Sequence, residues 1–144
     1  MKRNLVLGIV LTLGVIIGAT ATRLLDAQPV PVKSTDLLET DVVGMDGVEV
    51  IVSLVEFAPR ATTGKHTHPG HEVAYVLEGS GVSEVEGQGA DVRKAGTVTY
   101  IPAKKIHEGK NQSATEAMKV LFFRIHPKGQ PVVDSRLTQP SFVK

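Results

Sequence analysis

An all-β fold, a closed sandwich or barrel, is what this sequence predicts, and three observations carry the prediction. From Leu37 onward no long segment keeps a helical period. Six short β-branched runs follow one another, each broken by Gly or Pro. The chain of 144 residues, 42% hydrophobic, is long enough to bury one core and short for two. Strands of that length with close turns build sandwiches and barrels.

The N-terminal segment comes first. Lys2 and Arg3 precede an apolar run from Leu5 to Ala19, and Ala19-Thr20-Ala21 offers small residues at a processing position. Residues 1–21 therefore predict a secretory signal helix. The competing reading is an uncleaved anchor helix, since the run falls slightly short of the ~20 residues a comfortable span needs. A buried core helix fits poorly, because the run has no polar face. Either surviving reading predicts an exported protein, periplasmic or secreted, or held to the inner membrane and facing out. Loss of residues 1–21 removes two bases and no acid, leaving a net charge of about −1.

Residues 22–36, with "DAQPVPVKST" at their centre, are Pro-interrupted and polar, and predict an extended tether. The β-domain is expected over residues 37–127. Its strands are "VEVIVSLVEF" (48–57), "EVAYVLEG" (72–79), "GVSEVEG" (81–87), "ADVRKAG" (90–96), "TVTYIP" (97–102) and "MKVLFFRIH" (118–126). Gly79-Ser80-Gly81 predicts a hairpin turn, and Glu86-Gly87-Gln88-Gly89 predicts another. Residues 128–144 carry two prolines and little periodicity, the pattern of a surface strap or a mobile tail. Val52, Leu54, Ala74, Val76, Val98, Tyr100, Val120 and Phe122 are candidate wall residues, each of which could equally be plain core.

Composition narrows the chemistry. There is no cysteine, so disulfides, thiolate sites and cysteine nucleophiles are excluded, and any metal must be held by nitrogen and oxygen. Aromatics make up 4% of the chain and tryptophan is absent, which argues against a base-stacking platform for nucleic acid. A formal charge of +1 draws neither phosphate backbones nor anionic lipid, so contact with a membrane is expected only through the N-terminal segment.

Three of the five histidines fall in "HTHPGHE", residues 66–72. In a strand, His66 and His68 share a face. Pro69-Gly70 then bends the chain, which can bring Glu72 to the same point. Two imidazoles and a carboxylate on one side suit a divalent transition metal and leave positions open. An isolated His-x-His is otherwise an ordinary solvated strand face.

The surrounding residues tip that balance. Here the chain resembles the cupin family, specifically its small single-domain bacterial members of the quercetin dioxygenase-like group. The first cupin motif is matched by His66, His68, Glu72 and Gly79, and the second by Gly96, Pro102, His107 and Asn111, over residues 48–125. Two positions depart: Arg60 and Lys104 stand where the family prefers glycine, and Lys104 suggests a slightly different turn. The resemblance implies a double-stranded β-helix (jelly-roll) barrel with His66, His68, Glu72 and His107 as metal ligands in its mouth. It also implies one divalent ion of Fe, Mn, Ni, Cu or Zn, a small-molecule substrate or ligand, and pairing into homodimers. Dioxygenase or related oxidoreductase chemistry is one expectation, with isomerase and lyase chemistry alongside. A non-catalytic binding cupin is the other.

His71, Tyr100 and Phe122 are candidates for the pocket rim. His71 precedes a ligand by one residue, so alternation alone points it to the other face. His126 has no motif context and is read as a surface residue. Gly79 and Pro102 are read as turn-shaping residues, and Asn111 as a turn holder. The expected lining is aliphatic, with no arginine cluster, which suits a small neutral or aromatic molecule better than a phosphorylated one.

Overall fold

Alternation along two central strands sets the architecture. A computed structural model describes residues 31–133 and the backbone of residues 141–142. Strand β2 (Val48–Phe57) buries Glu49, Ile51, Ser53, Val55 and Phe57 and leaves the intervening residues half-buried. Strand β9 (Met118–Pro127) buries Met118, Val120, Arg124 and His126 on one face. β2 and β9 pair antiparallel in unbroken register, from Val48 opposite Pro127 to Phe57 opposite Met118. Their inward faces meet in a core of Val55, Phe57, Ala61, Ala74, Val76, Met118 and Val120.

The strands form two five-stranded sheets. One has the order β1-β2-β9-β4-β7, with β1 at Val32–Asp41, β4 at His71–Glu78 and β7 at Val98–Ile101. The other has the order β10-β3-β8-β5-β6, with β3 at Ala61–Thr62, β5 at Ser80–Val85, β6 at Gly89–Lys94, β8 at His107–Lys110 and β10 at Ser141–Phe142. Every pairing is antiparallel, and most join strands distant in sequence, the order of a jelly roll. The described residues include no helix, hence none long and apolar enough to cross a membrane. The expected N-terminal signal or anchor helix lies outside the described residues.

Three expectations change. The tether expected over 22–36 overlaps the barrel, because β1 begins at Val32, immediately after Pro31. β1 is an exposed edge strand carrying Lys, Asp and Glu, so it shows no two-residue alternation to read. Gly79-Ser80-Gly81 is no hairpin turn: β4 pairs with β7 and β9, whereas β5 pairs with β6 and β8. It is a corner where the chain leaves one sheet for the other. Gly79 takes φ +77, and a Cβ there would sit 2.7 Å from the Ala117 carbonyl oxygen, so both backbone freedom and close approach require glycine. Finally, residues 128–144 contain β10, which pairs with β3. The second expected turn, residues 86–89, does join a hairpin between β5 and β6.

Candidate metal centre

His66 lies in the irregular stretch between β3 and β4, where it forms an isolated bridge with His107 at the start of β8. That bridge, closed by His66 N to His107 O and His107 N to His66 O, both 3.0 Å, ties the two halves of the site together. His68 follows two residues on, and Glu72 enters on the inward face of β4. Gly70 permits the tight passage between them. A Cβ at Gly70 would overlap the Ile125 carbonyl oxygen and lie 2.9 Å from the His126 Cα, so only glycine lets this turn lie against β9.

The three imidazoles cluster tightly and are buried. Ring centroids are 4.2 Å apart for His66–His107, 4.8 Å for His66–His68 and 5.0 Å for His68–His107. One ring nitrogen from each lies within 4.8 Å of the others. Each histidine is tied at Nδ1 to a backbone carbonyl: His66 to Gly64 at 2.9 Å, His107 to Lys105 at 2.9 Å, and His68 to Val132 at 2.6 Å. A carbonyl can only accept, so each Nδ1 carries the proton and each Nε2 presents a lone pair.

One of those lone pairs is buried without a donor to satisfy it. His107 Nε2 is buried with no hydrogen-bond partner. His68 Nε2 lies 3.2 Å from Glu72 Oε2, and His107 Nε2 lies 3.8 Å from Glu72 Oε1. An ion-pair reading of the first contact needs a protonated His68. Burial works against it and pushes that pKa down to about 3, while burial and the neighbouring His107 push His66 down to about 4. Neutral imidazoles facing a carboxylate leave lone pair against lone pair, an arrangement that a bound cation resolves. The donor set of nitrogens and a carboxylate oxygen fits a divalent transition metal.

Glu72 is 1% exposed and is held by a partner outside the motifs. Arg124, 6% exposed, donates from Nε to Glu72 Oε2 at 2.7 Å and from Nη1 to Ser53 Oγ at 2.8 Å. Ser53 Oγ in turn donates a hydrogen bond to Asp36 Oδ1 at 2.6 Å. The guanidinium also stands 5.1 Å from the Phe122 ring centroid. Glu72 is thus fixed and neutralised on one oxygen, which leaves Oε1 as the oxygen free to serve a ligand.

The cluster sits at one side of a cavity of about 370 Å3 running between the sheets. Its walls are chiefly apolar: Val55, Val76, Ile101, Met118, Val120 and Phe122. Two arginines also line it, Arg124 and Arg93, and each is committed to a carboxylate, Glu72 and Asp91 respectively.

Among the other residues singled out in the sequence, Ala74, Val76, Val120 and Phe122 line the cavity, whereas Val52, Leu54, Val98 and Tyr100 do not. On β2 and β7 the inward phase falls one residue away, on Ser53, Val55, Thr99 and Ile101. Runs apolar at both parities give no phase to read. His71 and Tyr100 both point to the outer face of the first sheet, away from the cavity. There the Tyr100 hydroxyl lies 2.7 Å from His71 Nδ1 and the rings stack at 8°. His126 is no surface residue: it is 1% exposed and its Nε2 donates to the Gln130 carbonyl at 3.0 Å. Arg124 and His126 share parity with Val120 and Phe122 on β9, which was the available signal for both. Asn111 is fully buried and holds a turn through three carbonyls, those of Phe57, Ala58 and Glu116. Both motif departures adopt a backbone conformation that glycine takes readily. Arg60 and Lys104 take φ +60 and +63, the left-handed conformation a glycine would supply.

Known proteins resemble this geometry. A family model described as a cupin domain matches residues 53–124. A cupin-like protein from Thermotoga maritima shares 25% identity over 78% of this chain and 75% of its own, with a TM-score of 0.57. An uncharacterised Klebsiella pneumoniae protein with a double-stranded β-helix domain shares 15% over 81% and 88%, with a TM-score of 0.58. A DMSP lyase from Ruegeria pomeroyi shares 16% over 78% and 52%, with a TM-score of 0.57. No curated protein matches the sequence.

Proposed function

The chain belongs to the cupin family, and from that premise we propose that it is an exported metal-dependent oxidoreductase, of dioxygenase type, acting on a small organic molecule. The observation that carries the reading is the convergence of His66, His68 and His107 on one point, each Nδ1 tied back to a carbonyl. A divalent ion of Fe, Mn, Ni, Cu or Zn bound there supplies Lewis acidity, open coordination positions and, in the redox-active cases, electron exchange with O2.

The chain's own groups do the rest. The three Nε2 atoms would hold such an ion, and Glu72 Oε1 would serve as a fourth donor or as acceptor of a substrate proton. Arg124 holds and aims Glu72 through its Nε at 2.7 Å. Val76, Val120 and Phe122 exclude water from the space where a substrate would lie. A cavity of about 370 Å3 holds roughly a dozen waters at ~30 Å3 each, which restricts the substrate to small molecules. Its apolar walls favour a neutral or aromatic one. The N-terminal segment supports export, since a basic start, an apolar run and Ala19-Thr20-Ala21 form a secretory pattern.

A second reading is a non-catalytic cupin that stores or carries a metal or small ligand. It is favoured because, among the described residues, the acid and bases that line the cavity beyond the candidate ligands, Asp36, Arg93 and Arg124, are each engaged by a hydrogen bond or ion pair. The two separate in one experiment. Metal-loaded protein is offered small aromatics and diketones while O2 uptake and substrate loss are followed. Turnover supports the enzyme; tight binding without consumption supports the carrier.

A further inference from the structure

Two of the three clustered histidines are oriented by their own turns, since His66 and His107 each bond the carbonyl two residues before them. His68 is different. Its Nδ1 bonds Val132, 64 residues away, on the segment that follows β9. That segment is itself pinned. Lys128 N bonds the Gly47 carbonyl at 3.0 Å, Gln130 N bonds the Pro127 carbonyl at 3.3 Å, and the Gln130 carbonyl accepts from buried His126 Nε2. Beyond this turn Val132 and Val133 both face the cavity.

We propose that residues 130–133 are a positioning element of the site: His126 holds the turn through Gln130, and the Val132 carbonyl holds His68 with Nε2 aimed at the cluster. His126 is then a positioning residue acting through two others. Val132 and Val133 complete the cavity wall on the side of His68, so the same segment limits the size of molecule the site admits. The inference rests on the metal reading only for its consequence; the geometry of His68 stands apart from it. The physical reason is that a neutral imidazole chooses its tautomer by the bond its other nitrogen makes, and losing such a bond to a ligand histidine commonly weakens metal affinity 10–100-fold.

The test compares full-length protein with chains ending after Gln130 and after Asp134, both lacking β10. The imidazole 15N shifts of the metal-free proteins are read, then zinc affinity by competition. The chain ending after Gln130 is expected to lose the fixed Nδ1–H form at His68 alone, with His66 and His107 unchanged, and to bind zinc about 10–100-fold more weakly. The chain ending after Asp134 is expected to match full-length protein in both. In full-length protein, His126→Gln, whose amide can still donate to Gln130, is expected to keep the His68 tautomer, and His126→Leu to lose it. An unchanged His68 in the chain ending after Gln130 overturns the proposal, as does an equal change in all three histidines. The expected tautomer change with no zinc bound by any chain leaves the positioning of His68 standing and overturns the metal reading instead.

Discussion

At the scale of single residues, the site is a problem of unshared lone pairs and their neighbours. Arg124 settles half of it by neutralising Glu72, and removing it should be costly. Arg124→Met in chelator-treated protein should lose about 3–5 kcal/mol of stability in urea, because a buried carboxylate is left unpaired. A loss under 1 kcal/mol would mean Glu72 is solvated or protonated in the fold. The opposite sign is expected at Lys104. Its φ of +63 is a conformation that costs an L-residue roughly 1–2 kcal/mol, while glycine adds some freedom to the unfolded chain. Lys104→Gly should therefore gain about 0.5–1 kcal/mol in urea unfolding, and a loss would show that the lysine side chain contributes more than its backbone strain. The three-histidine cluster was legible in the sequence, His66 and His68 from their own close spacing and His107 from the second motif, while Glu72 lies beside the cluster without being one of its three members. Arg124 was not, because its partner Glu72 lies 52 residues away and only the fold brings them together.

At the scale of elements, strands were easier to find than their phases. The six β-branched runs each became a strand. β4 and β9 faced as expected, since Ala74, Val76, Val120 and Phe122 turn inward. β2 did not, because "VEVIVSLVEF" is apolar at both parities and the buried parity even includes Glu49 and Ser53. The short strands β3 and β8 carry too few residues to show a period. β1 was hidden by its exposure and charge. Beyond its pairings with β3 and β5, β8 is tied to the first sheet by Asn111, immediately beyond it, whose amide bonds carbonyls at the end of β2 and before β9. The Asn111 side-chain oxygen also accepts from Ser113 N at 3.0 Å. Asn111→Ala strands several buried backbone groups at once and should cost about 2–4 kcal/mol at roughly 1 kcal/mol per bond. Urea unfolding checks this, and a cost within experimental error would show that water replaces the amide.

At the scale of the whole molecule, one face of the barrel does not look like a solvated surface. The outer side of the first sheet carries Leu54, Val73, Tyr75, Val98, Tyr100, Phe123 and Ile125, of which Val98, Tyr100 and Ile125 are more than half exposed. We propose a second copy of this chain as its occupant. The five strands, from the ten residues of β2 down to the four of β7, present about 650 Å2 at ~3.3 Å per residue and ~4.8 Å spacing, approaching the ~800 Å2 each partner gives a stable interface. A face meeting itself across a two-fold axis needs no other partner. Phe123→Lys/Ile125→Lys should convert a dimer to a monomer in sedimentation at micromolar concentration with the far-UV spectrum unchanged; a wild type already monomeric there would remove the proposal. The central claim is narrower, that His66, His68 and His107 form a metal centre, and metal content tests it most directly. Protein taken from its native compartment is measured by mass spectrometry beside a His66→Ala/His107→Ala variant. Near-stoichiometric transition metal in the wild type, lost from a variant that still folds, is the expected result. Wild type and variant equally metal-free, and both folded, would contradict it.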